Sequence, residues 1–165
     1  MRTLLAVLAL LLLAGCQGNS YERPETTPEK TGEAAAKPAG PVTEVTVSGN
    51  DQMQFDKKEI RIKAGVRVKL TLKHTGKAPA ATMGHNLVLL KAGTDVAKFA
   101  TRAAAAKSTA FIPASEKDSV IAHTRILGGG ESDTIEFDAP AAGTYDYVCT
   151  FPGHYVIMRG KLIVE

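Results

Sequence analysis

From Val42 onward apolar residues recur at every second position in short runs: Val45 and Val47; Ile60 and Ile62; Val66, Val68, Leu70 and Leu72; Leu87 and Leu89; Ile135 and Phe137; Tyr145, Tyr147 and Cys149; Leu162 and Val164. A period of two puts such side chains on one face of an extended chain, so each run predicts a half-buried strand. Glycines at Gly49, Gly65, Gly76, Gly128 to Gly130 and Gly143 separate most of the runs, as the turns of an antiparallel sandwich or barrel require. One segment breaks the rhythm. Thr94 can cap a helix in which Val96, Phe99, Ala100 and Ala103 share a face, followed by further alanines, so a helical insertion is expected over 94–107. The fold class predicted is all-β, a single sandwich with that one insertion.

The residues before Val42 have a different texture. An apolar run from Leu4 to Leu13 follows Met1-Arg2; it is too short to span a bilayer as a helix and fits a targeting segment. It ends in Leu13-Ala14-Gly15-Cys16, which resembles the lipobox of bacterial lipoproteins. That resemblance implies a signal peptide over 1–15 and acylation of Cys16; the alternative is an ordinary cleaved signal with an incidental cysteine. Between Gln17 and Pro41 the only bulky apolar residue is Tyr21, while Pro24, Pro28, Pro38 and Pro41 and mixed charges punctuate the stretch. Such a composition cannot bury a core, so 16–41 reads as a lipidated cysteine with a disordered tether, its ends roughly 25–30 Å apart. The expected location is the periplasmic side of a membrane, held there through Cys16. Gln17 is not the aspartate that retains many lipoproteins in the inner membrane, which favours the outer one. With a net charge of only +3 on 165 residues, there is no basic excess to favour nucleic acid.

If lipid consumes Cys16, Cys149 remains a lone thiol in an exported domain, and that calls for dimerisation, reactivity or metal ligation. Its neighbours decide. Cys149-Thr150-Phe151-Pro152-Gly153-His154-Tyr155-Val156-Ile157-Met158 lies between two predicted strands, so thiolate, imidazole and thioether share one hairpin loop. Thiolate and thioether are soft donors that favour Cu(I), and imidazole suits Cu(II); two imidazoles, one thiolate and a long axial methionine form the blue-copper electron-transfer arrangement. The second imidazole must come from His74, His85 or His123. His85 is preferred because Met83-Gly84-His85-Asn86 opens an apolar strand and Gly84 permits close backbone approach to a metal. Asn86 can tie the two ligand-bearing segments by hydrogen bonds.

These motifs, with Gly49-Asn50-Asp51-Gln52-Met53-Gln54-Phe55 and Val120-Ile121-Ala122-His123-Thr124, closely resemble the azurins, blue copper proteins of the cupredoxin family, across essentially Val45 to Glu165. The Cys-x4-His-x3-Met spacing separates azurins from plastocyanin-like relatives. The resemblance implies an eight-stranded Greek-key sandwich with a helical flap over 42–165. It also implies one copper held by His85, Cys149 and His154, with Met158 as a weak axial ligand and the Gly84 carbonyl opposite it. By the same resemblance, His74 lies close to the site without binding metal and His123 sits at the surface. Met83, Phe151, Pro152 and Met53 surround the exposed edge of the loop histidine as a partner patch. The redox partners implied are a c-type cytochrome or a periplasmic reductase or peroxidase, met by a monomer that is not itself an enzyme. The disulfide common in azurins is missing: the matching region offers Thr43 and the neighbourhood of Gly65.

Other functions fit less well. A copper-storage or delivery module uses clusters of exposed methionine and histidine, and methionines are sparse here. Zinc would prefer a harder fourth ligand than Met158. A copper oxidase or nitrite reductase needs a second histidine cluster, which His74 and His123 do not supply.

Overall fold

The computed structural model describes residues 41–165. The expected signal peptide over 1–15, the lipidated Cys16 and all of the tether except Pro41 lie outside the described residues. The strands are β1 (Val42–Gly49), β2 (Glu59–Ile62), β3 (Arg67–His74), β4 (Val88–Leu90), β5 (Val120–His123), β6 (Ser132–Asp138), β7 (Gly143–Val148) and β8 (Arg159–Val164). Two short helices, α1 (Ala80–Met83) and α2 (Val96–Ala104), interrupt them. The strands form a three-stranded sheet in the order β1-β3-β6 and a five-stranded sheet in the order β2-β8-β7-β4-β5. β1 runs parallel to β3 and β2 parallel to β8, while the remaining pairs are antiparallel. The result is the eight-stranded Greek-key sandwich expected.

β3 shows why alternation works as a signal: Val68, Leu70, Leu72 and His74 are buried, while the residues between them face outward. With Val47, Phe55, Leu87, Leu89, Leu127, Tyr147, Cys149, Met158 and Leu162, those inward residues form the core between the sheets.

β4 departs from the half-buried strand expected at Leu87 and Leu89, because every residue from Gly84 to Leu90 is buried. Leu87 and Leu89 join the core between the sheets; Val88 and Leu90 pack outward with Val148, Phe99, Ala103 and Ile112 in a second cluster. Helix α2 is thus a lid on the outer face of the five-stranded sheet. Its cap corrects the sequence reading. Asp95, not Thr94, accepts from the Lys98 N–H at 3.0 Å, and the Thr94 hydroxyl turns back to the Lys91 carbonyl at 2.8 Å. β5 escaped the alternation pattern because Val120, Ile121 and Ala122 are uniformly half-buried at a sheet edge.

Candidate metal centre

Two segments meet at one end of the sandwich. The first is the stretch before β4, where His85 pairs with Leu127 in an isolated bridge (His85 N to Leu127 O 3.0 Å, Leu127 N to His85 O 2.7 Å). The second is the loop between β7 and β8. Its base is closed by the Cys149 N–H donating to the Met158 carbonyl at 2.9 Å, and its interior by the Met158 N–H donating to the His154 carbonyl at 2.8 Å. Gly153 takes a left-handed φ of 84°, the conformation that favours glycine, and turns the chain into the single 3-10 turn His154–Val156. β4 and β7 are neighbours, with Val88 opposite Val148, so the two ligand-bearing segments are anchored side by side.

Asn86 hydrogen-bonds across to Thr150. Its Oδ1 accepts from the Thr150 N–H at 2.8 Å, and its Nδ2 donates to Thr150 Oγ1 at 2.8 Å, all in buried surroundings. The segment beyond β5 is tied to the start of β4 in the same way, since the Leu87 N–H donates to Thr124 Oγ1 at 3.0 Å.

The site brings together His85, Cys149 and His154. All three are buried, and one donor atom from each lies within 4.8 Å of the other two. Cys149 Sγ is 3.6 Å from His154 Nδ1 and 3.9 Å from the Gly84 carbonyl oxygen. Burial pushes the Cys149 thiol up to about 12, the backbone N–H groups of Asn86 and Phe151 offsetting only part of it. Burial likewise lowers both imidazoles, His154 to about 4 with the His85 and His74 charges adding to the effect. Both rings are therefore neutral near pH 7, each with a lone pair to give.

His85 tests whether the pocket suits a cation. Its Nε2 lies 2.8 Å from the Asn50 carbonyl and its Nδ1 3.0 Å from the Gly84 carbonyl. A neutral imidazole has one N–H for these two acceptors, and the shorter contact takes it. Nδ1 and the Gly84 oxygen are then two lone-pair atoms facing each other inside a buried pocket beside a thiol. A soft cation among them resolves that conflict, and the thiol, imidazole and thioether donors are those that suit copper.

Met158 is fully buried, and its place is legible from Gly49. A side chain there would put Cβ 2.6 Å from Met158 Cε and 3.1 Å from His85 Cδ2. Gly49, read from the sequence as a turn glycine, is the last residue of β1 and leaves room for both groups. Gly84 is also needed for space. A Cβ there would meet Ala80 O at 2.6 Å, Ile126 Cγ2 at 2.7 Å and Phe151 Cδ2 at 2.8 Å.

His74 is buried and stacks on His85 with ring centroids 4.2 Å apart, its Nε2 donating to the Met83 carbonyl at 2.9 Å. It stands beside the donor cluster, not in it. His123 is exposed on β5 and also outside the cluster.

Of the expected patch, Pro152 is exposed and Met53, Met83 and Phe151 are half-buried, with the Phe151 ring 4.8 Å from that of His154. Sequence reasoning missed Val156 and Ile157, 58% and 46% exposed, because the His-x3-Met spacing drew attention to the ends of that segment. It also gave no role to Asn50, whose carbonyl holds His85; the Gly49-Asn50-Asp51 motif was the available signal.

A family model described as copper binding proteins, plastocyanin/azurin family, matches residues 42–165. The azurin of Bordetella pertussis is 45% identical over 122 residues, 72% of this chain and 81% of the relative. The outer membrane protein H.8 of Neisseria gonorrhoeae is 43% identical over 120 residues, 71% of this chain and 64% of the relative. Among solved structures, reduced auracyanin from Roseiflexus castenholzii superposes with a TM-score of 0.67 at 38% identity, covering 76% of this chain and 99% of that one. With a family match across the whole described sandwich and a buried thiol-imidazole cluster inside it, the chain belongs to the plastocyanin/azurin family of copper binding proteins, and copper is its metal.

Proposed function

We propose that this protein is a one-electron carrier with a mononuclear blue copper site, held by His85, Cys149 and His154, with Met158 as weak axial ligand and the Gly84 carbonyl opposite. The observation that carries the reading is the convergence of the three donor atoms within 4.8 Å in a buried pocket built from strand ends and one short loop. Copper supplies the Cu(II)/Cu(I) couple, which thiolate, thioether and imidazole donors together serve in both states.

The chain's own residues do the rest. Asn50 holds the proton of His85 on Nε2 and so keeps Nδ1 free. The paired hydrogen bonds between Asn86 and Thr150 keep the two ligand-bearing segments in one register, so little moves when the charge at the centre changes. His154 is only 4% exposed and lies on the loop between β7 and β8, its ring 4.8 Å from that of Phe151. Electrons leave by the edge of His154, across a small apolar face of Met83, Phe151, Pro152 and Met53. Such a face suits brief docking with a c-type cytochrome or a periplasmic reductase or peroxidase. The protein works as a monomer and catalyses no reaction of its own.

We further read 1–15 as a signal peptide, Cys16 as the lipidated residue, 16–41 as the tether and 42–165 as the copper domain on the periplasmic side. The relative named as an outer membrane protein supports the outer membrane as the site of anchoring.

Titrating the purified protein with Cu(II) tests the centre. An intense thiolate-to-copper absorption in the red is expected in the wild type, absent from Cys149→Ser. A colourless Cu(II) complex at full occupancy overturns the reading. Met158→Leu should stay blue with a raised reduction potential, and Cys16→Ser should leave the membrane fraction.

A further inference from the structure

Two adjacent residues, Ala110 and Phe111, have φ of 54° and 62°. Neither is glycine, asparagine or aspartate, and L-residues with a Cβ avoid the left-handed region. Such outliers persist only where the surroundings over-determine them. Here the surroundings are specific. The Phe111 N–H donates to the Ala106 carbonyl at 2.9 Å, the Ala110 N–H to the Lys107 carbonyl at 3.2 Å, and the Thr109 hydroxyl to the Ile112 carbonyl at 2.6 Å. Ile112 is pinned in the cluster beneath α2.

The turn reaches the metal loop by two routes. Asn86 Nδ2, already bonded to Thr150, also lies 3.5 Å from the Ala110 carbonyl. The Phe111 ring, 8% exposed, meets the Phe151 ring edge-to-face at 5.3 Å and 65°, and Phe151 in turn lies 4.8 Å from the His154 ring. Thr150 and Phe151 are the two residues that follow Cys149. A segment far from it in sequence thus touches Phe151 directly and reaches Thr150 through Asn86, by a backbone conformation that a simple connector would not need.

We propose that the Ala110–Phe111 turn is a positioning element for the copper loop, with Phe111 acting through Phe151 to fix the orientation of the His154 ring. An edge-to-face contact has a preferred geometry that a shapeless aliphatic side chain cannot reproduce, so the ring itself is what counts. The inference rests on the reading of His154 as a ligand.

The test compares Phe111→Leu, Phe111→Tyr and Ala110→Gly in the full chain, with Phe137→Leu as a core control on β6, away from the loop. The first readout needs no copper: the His154 imidazole signals in the NMR spectrum of the metal-free protein. Phe111→Leu should broaden or double them, Phe111→Tyr should restore a single set, and Ala110→Gly should broaden them without loss of stability, since glycine relieves the turn while freeing it. Phe137→Leu should lower stability and leave His154 unchanged. The second readout is the ratio of Cu(II) to Cu(I) binding constants. Phe111→Leu should change it at least threefold, about 28 mV at 59 mV per tenfold, and Phe111→Tyr should return it to the wild-type value. If Phe111→Leu fails to fold, Ala110→Gly and Phe111→Tyr carry the test. Wild-type His154 signals and an unchanged ratio in every folded variant, with the wild type blue, overturn the positioning role and leave the copper reading standing. A wild type that takes copper without colour overturns the copper reading instead.

Discussion

The two sheets treat their strands differently. β3, in the middle of the three-stranded sheet, has one face in the core and the other in water, with Lys69, Thr71 and Lys73 outward. β4 and the end of β7, in the five-stranded sheet, are buried on both faces, because α2 and Ile112 cover Val88, Leu90 and Val148 from outside. Both segments said to carry metal ligands leave the sheet from this doubly covered region. A strand clamped from both sides cannot shift when charge changes at its end, whereas a strand with a wet face keeps some freedom. The lid is therefore part of what holds the site rigid, although it contributes none of the expected ligands.

Removing the lid's main anchor is the harshest test of that contrast. Phe99 is fully buried between α2 and the sheet, so Phe99→Ala should cost about 3–5 kcal/mol in denaturant unfolding. Lys73→Ala, on the wet face of β3, should change stability by less than about 0.5 kcal/mol. A cost for Phe99→Ala near that of Lys73→Ala would mean the second cluster is cosmetic.

The same contrast explains what was legible in the sequence. Strands with one wet face advertise themselves by alternation, so β1, β2, β3, β6 and β8 were readable from residues such as Val68, Leu70 and Leu72. Double burial erases the period, which is why Leu87 and Leu89 read as a half-buried strand; the edge strand β5 was invisible for another reason, that Val120, Ile121 and Ala122 are all half-buried and show no alternation. The cluster of His85, Cys149 and His154 was approachable from the sequence because Cys149 and His154, with Met158 as the expected third donor, are chemically unusual at that spacing. The parts played by Gly49 and Asn50 were not. Gly49 matters through the space beside Met158 Cε, and Asn50 through its backbone oxygen, and neither leaves a mark on composition or periodicity. The helix boundary failed for a similar reason: Thr94 and Asp95 are both good caps, and only the fold decides which side chain reaches the Lys98 N–H.

A smaller effect is expected where the two ligand segments are stitched together. Asn86→Ala leaves the Thr150 N–H, on a residue 1% exposed, without its acceptor, at a cost of about 1–3 kcal/mol. Faster amide exchange at Thr150 should accompany it. Native-like exchange in this variant would show that double burial alone clamps β7 to β4. Smaller again is the cap of the lid: Asp95→Ala should lower Tm visibly, while Thr94→Ala should lower it less, since Thr94 gives its hydroxyl to Lys91 and not to the helix. The reverse order in a thermal melt would return the cap to Thr94.

The mildest perturbation lies on the seam between the sheets, in the turn that carries the chain from the His85 bridge at Leu127 into β6. Glu131 is the hub of that turn. Its Oε2 accepts from the Gly128 N–H at 3.0 Å and from Arg125 Nη1 at 2.8 Å, while its own carbonyl accepts from the His74 N–H at 2.9 Å. The Gly128 N–H first, and the Arg125 guanidinium after it, hold the Glu131 carboxyl below its ordinary value of 4.5. A carboxyl whose folded pKa is depressed stabilises the fold above its unfolded pKa, and that contribution is lost as pH falls through the folded one. Glu131→Gln removes the charge but keeps an oxygen for Gly128, so it isolates the ionic part. The variant should be less stable than the wild type at pH 6 to 8, by a small amount because the pair is half-exposed and screened by salt. The gap should stay constant down to about pH 5 and close below 4.5, where the wild-type carboxylate takes up its proton. Unfolding curves of the two proteins from pH 3 to 8 measure it. A gap that persists undiminished at pH 3, where the wild-type side chain is neutral like the glutamine, would mean that the charge on Glu131 does not hold the seam.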